Sequence, residues 1–389
     1  MPTLRSCFMF HDFDRGGLSR RQLLTALGVA VAIRPVAAFA QGQCGGARAG
    51  TPECDPTPAR LPFESTGWKT VLLDHFSCQV VDYPKEAAYY AALMNWKIRS
   101  DDGKQAVLDI GDWGGLVLRG GYQAPPTPPS AAPTPAPAAD PSVSSGQAGG
   151  RAGGRGGGAG GARAPRLAAF DGFCWGIEPW DAKKVEAELR KRGLAPVAEN
   201  QGKDVQSFHV KDPDGFDLQI SNGNRKNRRQ GAANGKTLMA APFEPTSWKT
   251  VWLDHISFEV SNYKETAAFY HALLGWTLGT DEGSQNQCEI GDVGDIIIRR
   301  GGGGNRGAAP STTPPARRAA MGHISFGIAA FDPDQVKAEL DKRGLAARMD
   351  TGGRGDIHTA AYKSYHTTTP NGFDLQISAT TNANRNPLA

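Results

Sequence analysis

Two histidines occupy the same short phrase in different parts of the sequence: His255 in "DHISF" and His323 in "GHISF". Each phrase is typical of a β-strand, in which successive side chains point to opposite faces of the sheet. The nitrogen of a neutral imidazole is a common ligand for transition metals. Two imidazoles at equivalent strand positions therefore predict a metal site, although a purely structural role for each histidine is the alternative.

The strands around these histidines decide where the imidazoles point. Strict alternation divides residues 253–260 into two faces. The predicted apolar face holds Asp254, Ile256, Phe258 and Val260, and the predicted polar face holds Leu253, His255, Ser257 and Glu259. The same rule turns Ile324 and Phe326 inward and leaves His323 and Ser325 on the polar face. Both imidazoles are thus predicted to enter one concavity.

The strand of His255 belongs to a long internal repeat. The phrase "PFESTGWKTVLLDHFSCQV" at 62–80 returns as "PFEPTSWKTVWLDHISFEV" at 242–260, and "PDGFDLQIS" at 213–221 returns as "PNGFDLQIS" at 370–378. The chain is therefore predicted to contain two copies of one domain. Within each copy, a strand, a helix and further short strands follow one another twice. This order predicts an α+β fold of four βαβββ modules, paired into two cups.

The predicted domain bounds follow from the repeat and from the composition. Inserts rich in glycine, alanine and proline interrupt both copies at the same point, and such segments bury too little apolar area to become ordered. We expect them to be flexible surface loops. The predicted parts are a signal peptide at 1–40, a flexible segment at 41–55, a first domain at 56–224 with an insert at 122–165, a linker at 225–241, a second domain at 242–382 with an insert at 301–318, and a tail at 383–389.

The first 40 residues predict export. In "LSRRQLL", Arg20 and Arg21 precede a short apolar run and a small-residue cleavage site at Ala38-Phe39-Ala40. This arrangement resembles a twin-arginine export signal, and an ordinary secretory signal is the alternative. The apolar run is too short to span a bilayer stably, and Arg34 interrupts it. We expect a soluble periplasmic or secreted protein that uses the twin-arginine machinery and has no stable membrane anchor.

Charge and cysteine content narrow the function further. Five arginines and two aspartates in residues 1–40 account for +3 of the net charge of +4, so the mature chain is not basic enough to indicate a nucleic-acid partner. Cys44 and Cys54 could form a disulfide in an oxidising compartment. Cys78, Cys174 and Cys288 lie in apolar, strand-like runs and are predicted to be buried as small hydrophobic residues.

The four modules, the "DHISFEV" first strand and the "DPDGFDLQIS" last strand resemble the vicinal oxygen chelate superfamily. This superfamily includes glyoxalases, type I extradiol dioxygenases, fosfomycin-resistance proteins and bleomycin-binding proteins. The resemblance covers nearly all of the mature chain. It implies a divalent metal (Fe²⁺, Mn²⁺, Zn²⁺ or Ni²⁺) held by His255, His323 and a residue of the last strand. Members of the superfamily usually carry glutamate at that third position, where this sequence has Gln376.

The exchange of glutamate for Gln376 changes what the resemblance implies. A neutral amide lowers the negative charge at the metal, and Asp374, two residues earlier on the same strand face, could restore it. His366 stands where extradiol dioxygenases place a tyrosine of the active site, and it could serve as an acid/base or as a further nitrogen ligand. A role as an ordinary surface residue of a strand is the alternative for His366. Glu259 is a further candidate for proton transfer.

The first copy of the domain departs further from the superfamily. It keeps His75, His209 and Gln219 at the positions of His255, His366 and Gln376. Opposite His323, however, the alignment places Gly172 or, with a gap of one residue, Phe173. Neither residue binds a metal. The first cup is therefore predicted to be chemically inactive.

These observations predict an exported, metal-dependent enzyme that acts on a small substrate with adjacent oxygens. Its metal would act as a Lewis acid on these oxygens. Ring-cleaving dioxygenation fits the two-domain layout, whereas lyase or isomerase chemistry of the glyoxalase kind fits the glutamine ligand, and the sequence leaves both open. The alternative function is a metal-free protein of the bleomycin-resistance kind that binds a small molecule in its cups.

Overall fold

The computed structural model describes most of the repeated region. The described residues are 59–123, 168–200, 204–227, 239–281, 283, 285–301, 319–350 and 364–384. The predicted signal peptide and segment 41–55, with Cys44 and Cys54, lie outside them, as do nearly all of both inserts and most of the tail. Both sheets belong to one compact unit, Thr57–Ala389. The predicted domain bounds stay predictions.

The first half of this unit is one eight-stranded sheet with two helices. Its elements in chain order are β1 (Lys69–Val80), α1 (Tyr83–Leu93), β2 (Lys97–Asp101), β3 (Gln105–Ile110), β4 (Gly114–Arg119), β5 (Ala168–Glu178), α2 (Ala182–Lys191), β6 (Val197–Asn200), β7 (Gln206–Lys211) and β8 (Asp217–Ser221). Each module opens with its longest strand, β1 or β5.

The second half repeats the same order of elements. They are β9 (Thr250–Val260), α3 (Tyr263–Leu274), β10 (Thr277–Asp281), β11 (Gln285–Ile290), β12 (Gly294–Arg300), β13 (Ala320–Ile328), α4 (Pro333–Lys342), β14 (Arg348–Asp350), β15 (Ser364–Thr368) and β16 (Asp374–Ser378). The prediction of four βαβββ modules in an α+β fold is confirmed.

Both sheets have the same topology. The strand order is β2-β3-β4-β1-β5-β8-β7-β6 in the first sheet and β10-β11-β12-β9-β13-β16-β15-β14 in the second. Within each module the first strand pairs in parallel with the last, as β9 does with β12 and β13 does with β16. The two first strands, β9 and β13, pair antiparallel at the centre of the sheet. His255 and His323 therefore lie on adjacent central strands.

The four helices bury very different fractions of their surface. Helices α2 and α4 each bury two apolar residues on one stripe. Helix α1 buries eight of its eleven residues and α3 buries nine of its twelve. A helix that is buried on nearly every side lies between two layers. Among the described residues, no helix has the length and apolar character that crossing a membrane requires.

The layer that contains α1 and α3 joins the two sheets through paired contacts. Trp96, just after α1, donates its Nε1–H to Thr250 Oγ1 of the second sheet at 2.9 Å. Trp276, just after α3, donates its Nε1–H to Thr70 Oγ1 of the first sheet at 3.1 Å. These helices and tryptophans cover one face of each sheet. The polar residues of the central strands accordingly lie on the opposite face, which forms the cup.

The predicted faces of β9 need one correction. The pairing of β9 with β13 shifts by one residue between Leu253 and His255, which marks a β-bulge. Because a bulge interrupts alternation, Leu253 is buried in the hydrophobic core, while the carboxylate of Asp254 accepts a hydrogen bond from Ser325 Oγ at 2.7 Å. Asp254 therefore lies on the polar face and Leu253 on the apolar face, opposite to the prediction.

A glycine next to the bulge makes this geometry possible. An added Cβ at Gly294 would lie 2.4 Å from the carbonyl oxygen of Leu253, and the same atom at Gly114 would lie 2.7 Å from that of Leu73. Only glycine allows β12 and β4 to approach the bulged strands so closely. The bulge and its glycine are thus repeated in both sheets.

Candidate metal centre

The two predicted ligands of the second cup point at each other. The Nε2 atoms of His255 and His323 lie 2.9 Å apart, and their ring centroids are separated by 5.1 Å. The register of β9 and β13 explains this contact, since His323 pairs with Ser257 and His255 pairs with Ser325. The two imidazoles are diagonal neighbours on one face. His255 is buried, with 3% of its surface exposed.

His323 is held in its neutral form. Burial, followed by the neighbouring His255, Arg299 and His366, lowers the pKa of His323 to about 2. A neutral imidazole has a lone pair on one nitrogen, which is the form that binds a metal. Burial, together with these neighbours, therefore keeps His323 in the protonation state that a metal ligand needs at neutral pH.

A carboxylate supports His255 from behind. Asp254 Oδ2 lies 3.4 Å from His255 Nδ1 and accepts the hydroxyl hydrogen of Ser325. Carboxylates that contact the second nitrogen of a ligating histidine fix the orientation of the ring and raise its basicity. The bulge therefore brings Asp254 to the side of the sheet on which the ring of His255 lies.

His366 is the third imidazole of the second cup. Its ring centroid lies 5.1 Å from that of His323. Its Nδ1 lies 3.2 Å from Asp374 Oδ1, and its Nε2 lies 3.6 Å from Asp350 Oδ2. Burial alone would lower the pKa of His366, but the hydrogen bonds and charges of the two aspartates outweigh burial and raise it to about 9.

The protonation of His366 distinguishes between its two predicted roles, a further nitrogen ligand and an acid/base. An imidazolium has no lone pair, so at neutral pH His366 does not suit the role of a further nitrogen ligand. A protonated ring next to the histidine pair suits the role of an acid/base. Only 16% of its side chain is exposed, which does not match an ordinary surface residue.

Asp374 is engaged by two cationic groups. Besides His366, it accepts a hydrogen bond from Arg348 Nη2 at 2.7 Å. Burial would raise the pKa of Asp374, but His366, His323 and Arg348 together lower it. Asp374 also pairs with His323 in the register of β13 and β16. It therefore adds negative charge beside the histidine pair.

Gln376 and Glu259 occupy different parts of the cup. Gln376 is buried, pairs with Ser325 and His366 in the neighbouring strands, and donates from Nε2 to Ser364 Oγ at 2.7 Å. The amide oxygen is the atom with which it can bind a cation, because the nitrogen of an amide is only a donor. Glu259 is exposed and pairs with Ala320 at the start of β13, so it lies at the rim. The roles of both residues stay predictions.

The residues of the second cup fit a divalent metal ion. Two nitrogens that each bind one ion at about 2.0–2.1 Å, at right angles to each other, are about 2.9 Å apart. The separation of His255 Nε2 and His323 Nε2 has this value. One of these rings is neutral and the other has a carboxylate behind it. The chemistry and the spacing of the donors therefore agree with the predicted use of both histidines.

The first cup lacks the second imidazole. Gly172 lies between Ser77 and Asp217, which is the register position that His323 has in the second sheet. The alternative equivalent, Phe173, is wrong because its side chain is buried in the hydrophobic core. The first cup accordingly has no histidine pair like that of the second among its described residues.

The outer part of the polar network is nevertheless present in both cups. His209 lies 2.7 Å from Asp217 Oδ2 and 2.7 Å from Glu199 Oε2, as His366 lies between two aspartates. Gln219 Nε2 donates to Ser207 Oγ at 2.8 Å, as Gln376 does to Ser364. This repeated unit is independent of the histidine pair.

Two features of the cups were not predicted from the sequence. Asp350 was not named, although it completes the carboxylate pair around His366. Donor atoms of Asp74, His75 and Cys174 all lie within 4.8 Å of one another in the first cup. The repeat contained a signal for this cluster, because Asp-His stands in both copies while Cys174 replaces Ser325. Cys78, Cys174 and Cys288 are buried thiols, as predicted. In addition to being buried, Cys174 lies near the donor atoms of Asp74 and His75.

One family model matches most of the second sheet. Residues 252–377 match the family model described as the Glyoxalase/Bleomycin resistance protein/Dioxygenase superfamily. No curated protein sequence matches the chain.

Several solved structures share the fold. An extradiol ring-cleaving dioxygenase from B. fuscum is 15% identical, with a TM-score of 0.51 over 83% of this chain and 75% of that chain. A variant of homoprotocatechuate 2,3-dioxygenase from Brevibacterium fuscum is 15% identical, with a TM-score of 0.50 over 83% and 74%. An Mn(II)-bound glyoxalase from Novosphingobium aromaticivorans is 14% identical, with a TM-score of 0.49 over 80% and 82%. At these identities the likeness concerns the fold.

Proposed function

Residues 252–377 of this chain match the model of the glyoxalase/bleomycin resistance protein/dioxygenase superfamily, and from that match we propose that the second cup is a metal-dependent active site. The observation that carries the proposal is the contact of His255 Nε2 with His323 Nε2 at 2.9 Å, and the pKa of His323 is lowered to about 2. His255 and His323 hold a divalent ion, and Gln376 contributes its amide oxygen. When bound, the ion acts as a Lewis acid on adjacent oxygens of a small substrate.

The proton chemistry of this site belongs to His366. Its two aspartate neighbours keep a proton on the ring at neutral pH, and the ring lies beside His323 on the side away from His255. His366 can therefore donate a proton to a substrate oxygen from Nε2, which lies 3.6 Å from Asp350 Oδ2, and take it back. Asp350 and Asp374 hold the ring in place, and Arg348 supports Asp374. Glu259, at the rim, is an additional proton acceptor in this proposal.

The metal content of the purified protein tests this function. We expect His323→Ala to lose about one equivalent of iron, manganese, zinc or nickel relative to the wild type after reconstitution, because one imidazole alone holds such an ion weakly. His209→Ala is the matched control, since it removes a half-buried imidazole between two carboxylates from the first cup. Equal metal content in the wild type and His323→Ala would end the proposal.

Two substrate assays divide the reaction types. Oxygen consumption with a panel of catechols reports ring cleavage, whereas loss of a hemithioacetal without oxygen consumption reports glyoxalase-like chemistry. The fold of an extradiol dioxygenase over 83% of the chain supports testing the catechols first. Both reactions use a substrate with adjacent oxygens, so both are compatible with the proposed role of the metal.

One observation favours a second function, the metal-free binding of a small molecule. The unit of histidine, glutamine, serine and carboxylates is present in the first cup, where Gly172 replaces the second imidazole. The same unit in the second cup therefore does not require a metal for its formation. Binding of an aromatic probe to both cups, with equal affinity before and after chelation, would favour this function over the enzyme.

The proposal extends to the location of the protein. The twin-arginine phrase around Arg20 and Arg21 supports export of the folded chain to the periplasm or the medium. Fractionation of cells that express the full chain and an Arg20→Lys/Arg21→Lys variant tests this point. Equal export of both forms would contradict twin-arginine transport.

A further inference from the structure

The first cup contains a second, different set of metal-binding groups. Like β9, strand β1 carries a bulge, because its pairing with β5 shifts between Leu73 and His75. The bulge lets two consecutive residues, Asp74 and His75, face the same side of the sheet. Cys174, which pairs with His75 on the adjacent strand, presents its thiol on that side as well. Three different donor types thus meet at one point of the sheet.

We propose that Asp74, His75 and Cys174 bind a divalent transition-metal ion in the first cup. One donor atom from each residue lies within 4.8 Å of the other two, and His75 Nδ1 lies 2.7 Å from Asp74 Oδ1. Donors that share one ion are about 3 Å apart, so small adjustments of these side chains bring all three to it. Sulfur, nitrogen and oxygen together favour zinc, cobalt(II) or copper over magnesium or calcium.

The burial and charge of the cluster agree with this assignment. The side chains of Asp74 and His75 are 23% and 20% exposed, so an ion can enter from the cup. Cys174 is 1% exposed and forms the floor of the cluster. A buried thiolate is costly unless a cation accompanies it. With Asp74 it supplies two negative charges, which a divalent cation neutralises.

In the second cup, a serine oxygen replaces the sulfur of Cys174. Ser325 has the register position of Cys174, and its hydroxyl donates to Asp254 Oδ2 at 2.7 Å. A neutral serine hydroxyl is a weak ligand, so Asp254 and Ser325 support the ring of His255 and the proposed ion uses His323 instead. The two cups therefore share one histidine position and obtain their other donors from different strand residues.

Cobalt(II) titration of the full chain tests the site, because a thiolate bound to cobalt gives an intense charge-transfer band in the near ultraviolet. We expect this band in the wild type and in His323→Ala, which removes a ligand of the other cup. In Cys174→Ser and in His75→Ala we expect the band to disappear and the bound cobalt to fall by about one equivalent. Cys174→Ser reproduces the serine of the second cup, so circular dichroism should show an intact fold.

The controls separate this site from the site of the second cup. Cys288→Ala removes a buried thiol outside the cluster and should keep the band. A band that persists in Cys174→Ser, or a wild-type protein without any band, would overturn the proposal. Loss of metal in His323→Ala with an unchanged band would support the proposal, since Cys174 belongs to the cluster of the first cup and His323 does not.

Discussion

The two cups of this protein are built on two sheets of the same topology. Both have eight strands in one order, a bulge before the first histidine, and a histidine held between two carboxylates. In the central strands, Gly172 replaces His323 and Cys174 replaces Ser325. The two cups therefore share a scaffold and differ in the donor groups that these two positions of one strand present.

The space at Gly172 is limited, and this opposes a histidine at the position that His323 has in the second cup. A Cβ added at Gly172 would lie 3.2 Å from Ser77 Oγ and 3.3 Å from the carbonyl oxygen of Asp217. Ser77 Oγ is fixed there by a hydrogen bond of 2.7 Å to Asp171 Oδ1, and Asp171 also pairs with Arg119. Ser77, which this ion pair holds in place, thus lies beside the position where the second cup has an imidazole.

Exchanging this position should have the largest effect. His323→Gly gives the second cup the residue of the first, and the Cys174→Ser background removes the proposed site of the first cup. We expect the dissociation constant of the second cup for zinc to rise at least about a hundredfold, because the loss of a ligand costs more affinity than the loss of a supporting contact. Competition with a chromophoric chelator measures this constant. The turnover of any substrate found for the wild type should fall in parallel.

Gly172→His is the reciprocal change and serves as the control. Because Ser77 and Asp217 restrict the space, we expect it to lower stability without creating a histidine-pair site. Equal zinc affinity of His323→Gly and its parent would show that the histidine pair is not the metal site. A new tight site in Gly172→His would show that the scaffold alone determines metal binding.

The raised pKa values of His366 and His209 should make stability depend on pH in both cups. Below about pH 6.5 histidine is protonated in the folded and the unfolded chain, and the contribution of His366 is complete. As the pH rises to about 9, the pKa of folded His366, the unfolded chain loses this proton first, so the free energy of unfolding falls. We expect a loss of about 2 kcal/mol over this range, reduced from the full linkage value by partial solvent access.

Urea denaturation of the wild type and His366→Gln across this range measures the effect, which the variant should lack. His209→Gln is the matched variant of the first cup. Hydrogen bonding to Asp217, opposed by burial, raises the pKa of His209, and its side chain is 30% exposed, so we expect the same sign and a smaller amplitude. Stability that rises with pH in the wild type, relative to His366→Gln, would contradict the assigned protonation of His366.

A charge at the glutamine position sharpens the comparison further. Gln376→Glu replaces a neutral ligand by an anionic one, and we expect the affinity of the second cup for a divalent ion to increase about tenfold. Gln219→Glu makes the same change in the first cup and should have little effect on metal binding there, because Gln219 is not in the cluster of Asp74, His75 and Cys174. Isothermal titration of both variants with zinc checks this expectation.

Both variants also lose an amide donor, and this provides an internal control. In the wild type, the amide of Gln376 donates to Asp350 and the amide of Gln219 donates to Glu199. In each variant, the new carboxylate faces that acidic residue instead. Without metal, both variants should therefore be less stable than the wild type. An equal change in zinc affinity for Gln376→Glu and Gln219→Glu would remove Gln376 from the proposed ligands.

The fold was largely predictable because the repeat displayed each element twice. Period-two patterns and the repeated phrases at 62–80 and 242–260 and at 213–221 and 370–378 indicated the module order, and the alignment placed Gly172 at the position of His323. The faces of β9 were predicted wrongly at Leu253 and Asp254. Alternation assumes a regular strand, and the bulge that breaks it is determined by contacts between distant strands.

The same limit applies to the site. The pairing of His255 with His323 followed from their equivalent strands, whereas the partners of His366 did not. Asp350 is 16 residues from His366 in sequence and reaches it only through the pairing of β14 with β15. The cluster of Asp74 and Cys174 with His75 was missed for the same reason, since a bulge was needed to put neighbouring residues on one face.

The smallest expected effect tests whether the two halves are equivalent at their shared interface. The Nε1–H groups of Trp96 and Trp276 each donate to a threonine of the opposite sheet, at 2.9 and 3.1 Å, and each ring stacks on a tyrosine of its own helix. Removing the acceptor hydroxyl with Thr250→Val or Thr70→Val leaves a buried indole donor unsatisfied. We expect each change to lower the free energy of unfolding by about 1–2 kcal/mol in urea denaturation. Thr70 also donates to the carbonyl oxygen of Leu274 at 2.9 Å, so its replacement should cost slightly more. A loss confined to one of the two variants would show that one sheet carries the interface, and the two cups would then differ in scaffold as well as in chemistry.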